Sequence, residues 1–191
     1  MQVALDDYAW AAGIATELVN TAPEVWHGED HLSDLAAFAD LYSLPEPTRP
    51  GDLRAVHRLR ATVRDLIDHP DRARLIVGAS ALTSPAGGVT LSGDPVHWAV
   101  SLQPDASMSD ALSVICGVGI LGVVQTLGEE RFRACGAPTC RGAFIDTTRP
   151  GRRRYCMPGL CGNRVNVANH RARQASERLR AASPMISDSA T

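Results

Sequence analysis

Apolar residues recur every three or four positions through most of the first 130 residues, the spacing that gathers them on one side of a helix. Trp10, Ile14 and Leu18 form one stripe in a segment that closes at Leu18-Val19-Asn20-Thr21. Leu32, Leu35, Phe38 and Leu41 form a second, shorter one. The third is the strongest: Leu53, Val56, Leu59, Val63, Leu66 and Ile67 share a face, with Arg54, Arg58, Arg60 and Arg64 elsewhere on the wheel. The loop PEPTRPGD before it ends on Asp52, a residue type suited to cap a helix. A fourth helix is predicted over Arg72 to Leu82.

The period then changes. In GGVTLSGDPVHWAVSL, Val96, Trp98, Val100 and Leu102 alternate with polar or small residues. With Val89 and Leu91 before the turn at SGDP, this predicts a β-hairpin. Ser107 and Asp110 have the spacing of a capping box at the start of a long apolar stretch. That stretch, Ala111 to Gly128, borders on membrane-span length, but it carries four glycines and is flanked by acidic residues. A buried core helix is expected, not a membrane span, with Cys116 as a packed thiol. No secretory signal precedes it, so a cytoplasmic protein with reduced thiols is expected.

Charge divides the chain. Residues 1–130 hold 7 arginines against 18 carboxylates, and residues 131–191 hold 12 against 3. The overall charge of −2 thus hides an acidic part of −11 and a basic part of +9. This predicts three segments: a mostly helical body over 1–130, a basic module over 131–182 and a flexible tail over 183–191. Attraction between the two halves would explain the same asymmetry.

The basic module holds four of the five cysteines. Cys135 and Cys140 are separated by four residues, Cys156 and Cys161 by four more, and fifteen residues lie between the pairs. Two close pairs joined by a finger-length insert suit a tetrahedral site of four thiolates, with structural zinc as the leading reading. Spacing alone leaves an iron–sulfur cluster open. Disulfides or a redox pair fit less well. GAFID and RRRYC are expected as the arms of a hairpin, with TTRPG as its turn, so Arg149, Arg152, Arg153 and Arg154 would sit near the tip.

From Cys161 the pattern is helical again. Val165, Ala168, Ala172, Ala175 and Leu179 make a narrow apolar stripe, and Asn166, Asn169, His170 and Arg173 lie on the opposite side. Arg164, Arg171 and Arg178 recur every seven residues along one flank. Arginine forks onto phosphate and guanine, and asparagine pairs with adenine, so this face suits a nucleic-acid groove. A solvated face, or one docked on the acidic half, is the competing explanation.

The stretch from Cys135 to Arg173 resembles the CGNR zinc finger, whose name stands here as Cys161-Gly162-Asn163-Arg164. Phe144, Asp146, the Arg154-Tyr155-Cys156 segment and the closing His170 to Arg173 belong to the shared pattern. Leu18-Val19-Asn20-Thr21, the helix at Asp34-Leu35 and Leu59-Arg60 resemble the ABATE domain. The resemblance implies a mainly α, orthogonal helical domain with a β-hairpin insertion, followed by a four-cysteine finger of hairpin and helix. It also implies about one zinc per chain and a role in stress-induced transcription regulation. DNA contacts are then expected at Arg149, Arg152, Arg153, Arg154, Asn163, Arg164, Asn166, Asn169, His170, Arg171 and Arg173, with double-stranded DNA as the partner.

A small-molecule effector site is sketched from Asn20, Arg60 and Trp98, although Asn20 equally suits a helix cap. Single small modules rarely reach specificity alone, which raises a homodimer. The contrasting class is a zinc-stabilised protein adaptor. An enzyme is not expected: no nucleophile–base set, paired carboxylates or phosphate loop stands out, and His27, His31, His57, His69 and His97 are scattered.

Overall fold

A computed structural model of the chain describes residues 2–182 apart from 45, 48 and 94, with side chains through residue 178. The tail at 183–191 and the Leu179 side chain of the apolar stripe lie outside the described residues. The body contains helices α1 (Tyr8–Val19), α2 (Leu35–Leu41), α3 (Asp52–Asp68), α4 (Arg72–Leu82) and α5 (Met108–Thr126). A three-stranded antiparallel sheet, ordered β1 (Gln2–Ala4), β3 (His97–Leu102) and β2 (Ala86–Ser92), lies beside them.

α5 organises the core. Its Ser107 and Asp110 close the capping box: the Asp110 N–H donates to Ser107 Oγ at 3.2 Å and the Ser107 N–H to Asp110 Oδ2 at 2.8 Å. Leu112, Ile115, Cys116, Ile120 and Val123 are fully buried among residues of α1, α3 and α4. Although α5 is long and apolar enough to cross a membrane, 67% of its apolar window is covered by the rest of the chain. Glycine permits this packing. A Cβ on Gly119 would stand 2.5 Å from the Ala12 nitrogen of α1, too close for any side chain. Burial pushes the Cys116 thiol up to about 12, consistent with an inert packed group.

Three sequence expectations need adjustment. Asp52 is the first helical residue of α3, not its cap; Gly51 precedes the helix and the buried Asp52 carboxylate accepts the Arg49 N–H at 2.9 Å. Trp10 and Leu41 are exposed, because Ala11, Ala12 and Ala15, and Leu35 and Phe38, already fill the core side of their helices. In the hairpin only the inner end of the apolar face is covered. Val100 packs on the core, whereas Val89, Leu91, Val96 and Trp98 stay exposed.

After a short 3₁₀ turn (Glu129–Arg131) come β4 (Phe132–Ala134) and β5 (Ala143–Ile145), antiparallel to each other. The expected hairpin arms were GAFID and RRRYC. Within GAFID, Ala143–Ile145 is a strand, but its partner is Phe132–Ala134, and Arg152 to Tyr155 runs without strand pairing. The reason is the body: Phe132, Ala143 and Ile145 are apolar enough to join its core, so the ribbon pairs where it can bury them. A π turn (Pro158–Gly162) then leads into α6 (Asn163–Ala182).

Candidate metal centre and nucleic-acid interface

The ribbon is held to α1 by two buried side chains one helical turn apart. Thr16 Oγ1 accepts the Ile145 N–H at 3.1 Å. Asn20 Oδ1 accepts the Ala143 N–H at 3.1 Å, and its Nδ2 donates to the Ala143 carbonyl at 2.7 Å. Thus α1 supplies to β5 the hydrogen bonds a neighbouring strand would supply. A buried backbone edge left unpaired would be costly, so these contacts fix where β5 lies.

β5 places Phe144 under the cysteine cluster, in a small second core with Ala137, Cys156 and Cys161. The four Sγ atoms of Cys135, Cys140, Cys156 and Cys161 lie within 4.8 Å of one another. Cys140 to Cys156 is 3.6 Å, Cys156 to Cys161 3.8 Å and Cys140 to Cys161 3.7 Å. A tetrahedral zinc with Zn–S bonds of about 2.3 Å sets sulfurs about 3.8 Å apart, so the cage fits the ion. The Gly142 N–H points at Cys140 Sγ (3.3 Å) and the Cys156 N–H at Cys135 Sγ (3.4 Å), as donors toward thiolates do. Burial and the neighbouring sulfurs push the Cys161 thiol up to about 11 and raise Cys156 as well, so a cation is needed to hold all four as thiolates. Four protein ligands close the coordination sphere, and the site is structural.

Asp146 organises the arginine loop. It is fully buried and accepts from the Thr148 N–H (3.0 Å), the Thr148 hydroxyl (2.6 Å) and the Arg153 N–H (3.0 Å). Burial opposes its charge, but these bonds and Arg133 outweigh it and keep its pKa low. Arg133 reaches Asp146 at 3.6 Å and the Gly151 carbonyl at 3.0 Å.

Arg153, expected as a DNA contact, is turned inward. Its Nε donates to the Tyr155 carbonyl at 2.9 Å, its Nη2 bonds the Cys156 carbonyl, and its guanidinium stacks over Phe144 at 4.9 Å. It splints the second cysteine pair. Arg149, Arg152 and Arg154 around it are exposed.

Through residue 178, α6 makes little contact beyond its first turn. Val165 packs beside the cysteines, while Ala168, Ala172 and Ala175 of the supposed inner stripe are exposed. Arg164, Asn166, Asn169, His170, Arg171 and Arg173 are exposed as well. Asn163 is also exposed, but its amide donates to the Gly159 carbonyl at 2.7 Å, and His170 is shared with Gln174 at 3.1 Å. Among the described residues no carboxylate lies in ion-pair range of Arg149, Arg152, Arg154, Arg164, Arg171 or Arg173.

The sketched effector site of Asn20, Arg60 and Trp98 is not assembled. Asn20 bonds β5. Arg60 forks onto Asp30 at 2.8 Å through both terminal nitrogens, and Trp98 projects from the exposed end of the hairpin.

A family model described as "CGNR zinc finger" matches residues 131–174. A second, described as "ABATE: Putative stress-induced transcription regulator", matches residues 13–120, more than half of the chain. The chain belongs to the ABATE family. In this ABATE protein the matched finger contains all four zinc ligands, Asp146 and the exposed face of α6 through Arg173. The ABATE match contains the Thr16–Asn20 anchor and the Asp30–Arg60 pair. No curated protein matched the chain.

Proposed function

We propose that this ABATE protein is a transcriptional regulator that binds double-stranded DNA through its CGNR finger. In this reading residues 1–130 form the regulatory body and 131–182 the DNA-binding module. The observation that carries it is the set of exposed arginines with no carboxylate partner, on a zinc-fixed loop and a projecting helix. If these arginines served to hold the acidic half, they would face it. Instead they face solvent, where phosphate is the partner that suits them. α6 has 20 residues, so it extends about 30 Å, ample to lie in a major groove. Arg152 and Arg154 are assigned to phosphate, and Asn166, Asn169 and Arg173 to base edges. Because one finger offers a small surface, two copies acting together are expected.

The test is a substitution series on the zinc-loaded protein. Arg152→Ala with Arg154→Ala should weaken binding to all duplexes alike and flatten the salt slope by about one unit per lost contact. Asn166→Ala or Arg173→Ala should cost roughly 1–3 kcal/mol on a selected site and less on random DNA. Arg153→Ala should lower finger stability instead. Equal affinity for DNA across the whole series would defeat this assignment. The exposed hairpin end of Leu91, Val96 and Trp98 favours a second reading, a zinc-stabilised adaptor for another protein, which predicts no salt-dependent DNA binding.

A further inference from the structure

A cleft of about 290 Å³ opens where the body meets the second zinc knuckle. Glu17 of α1, Trp26 and His31 of the following loop, Phe38 and Tyr42 of α2, and Met157 of the finger line it. The size is at the lower end of small-molecule sites, which run from about 300 to 1,000 Å³. Four rings in two pairs form the walls. Trp26 and His31 stack at 4.1 Å with planes 13° apart, and Phe38 and Tyr42 meet at 4.8 Å and 54°. The Trp26 Nε1–H is fixed on the Asn20 carbonyl at 2.6 Å, so the indole is held in place.

Apart from His31, the ionisable side chains lining the cleft that carry full charge are carboxylates. Glu17 and Asp34 are its carboxylates, and among the described residues no arginine lines it. His31 Nε2 lies 3.7 Å from the Glu29 carboxylate. Asp34 is partly occupied as the cap of α2, accepting the Ala37 N–H at 2.9 Å, which leaves Glu17 as the free anion. Although Glu17 is open to solvent on one side, crowding of its carboxyl raises its pKa against the pull of Arg153.

The backbone is unusual at the same place. Among the described residues only His27 (φ 57°) and Ser43 (φ 53°) are left-handed without being glycine. Each directly follows a ring of the cleft, Trp26 and Tyr42. Left-handed geometry disfavours residues with a Cβ and persists where the surroundings impose it, often around ligand sites.

The geometry points to a binding site for a small organic cation, a quaternary or tertiary ammonium caged by Trp26, His31, Phe38 and Tyr42 and paired with Glu17. Ring faces attract such cations, and a carboxylate beside them supplies the counter-charge. An anion would meet the carboxylates of Glu17 and Asp34 and, among the described lining residues, no arginine. Met157 makes the site matter to the finger. It follows the zinc ligand Cys156, and its carbonyl accepts the N–H groups of Leu160 (3.1 Å) and Cys161 (2.8 Å). An occupant touching Met157 therefore bears on the knuckle that launches α6. The inference does not depend on DNA binding and is tested without DNA.

The experiment uses the zinc-loaded full chain and three probes: tetramethylammonium, choline and benzyltrimethylammonium. Their neutral counterpart is 3,3-dimethylbutan-1-ol, the uncharged isostere of choline. At least one cation should quench tryptophan fluorescence saturably and raise the melting temperature, and should bind at least about tenfold more tightly than the neutral isostere. Glu17→Gln should weaken that cation about tenfold, Trp26→Leu should abolish the saturable signal, and Trp98→Ala should leave it unchanged. Glu17 is at the surface, so its amide variant should stay folded, which unchanged zinc content would verify. Three results would each overturn the inference: no saturation by any cation at tens of millimolar, equal affinity for the neutral isostere, or full affinity in a folded Glu17→Gln protein.

Discussion

Thr16 and Asn20 carry more of the architecture than their positions in an apolar helix suggest. Both are buried, and between them they satisfy three backbone groups of β5. Asn20→Ala strands a buried N–H and carbonyl together, so it should cost about 1–3 kcal/mol. Faster hydrogen exchange at the Ala143 amide, with body helices unaffected, would show the loss at the predicted place. Asp30 offers a second check. The fork of hydrogen bonds from Arg60 holds its pKa at about 2, against 3.8 ordinarily, with burial opposing. A carboxylate with a depressed pKa stabilises the fold above its unfolded pKa and loses that contribution as pH falls. Asp30→Asn should therefore cost on the order of 1–2 kcal/mol at pH 7, and the gap from wild type should close between about pH 4 and pH 2. Urea unfolding of both proteins at the two ends of that window measures it. At this scale the sequence was only half legible. Asn20 does cap α1, its Nδ2 donating to the Thr16 carbonyl at 2.7 Å, but its second partner, Ala143, is 123 residues away and has no local signal. Arg153 looked the same as Arg152 and Arg154; only the fold of the loop around Asp146 separates the splint from its exposed neighbours.

The elements were easier to read where one chemistry dominates. α3 follows its apolar spacing, α4 occupies the predicted Arg72–Leu82 span, and the Ser107–Asp110 capping box starts α5 as its side chains require. The cysteine pairs revealed the metal site directly, since few other arrangements use four thiols at that spacing. The strand partner of β5 is not legible locally, because RRRYC follows GAFID across a plausible turn while the true partner precedes the first cysteine. Phe132 and Ile145 instead pair where both reach the body core. The same ribbon makes a sharp prediction. Gly142 lies so close to the cage that a Cβ would stand 2.5 Å from Cys156 Sγ and 2.6 Å from Asn20 Oδ1. Gly142→Ala should thus strike the zinc site and the body anchor at once. Metal analysis and chelator competition should show weaker zinc retention than wild type, whereas Cys116→Ala, remote in the α5 core, should retain its full zinc.

For the molecule as a whole, zinc fixes the second pair of cysteines, that pair launches α6, and the β5 anchor fixes all of them on the body. Among the described residues, the basic and acidic parts of the chain meet through neutral hydrogen bonds and apolar packing, and Arg149, Arg152, Arg154, Arg164, Arg171 and Arg173 make no ion pair with the body. Those cations remain turned outward. The central claim is that they bind DNA. Titrating the zinc-loaded wild-type protein against random-sequence duplex DNA at about 50 and 200 mM salt tests it most directly. The account predicts measurable binding at the lower salt and a steep fall at the higher, by roughly a factor of ten or more if several phosphates are contacted. Undetectable binding at low salt by protein carrying its full zinc would contradict it.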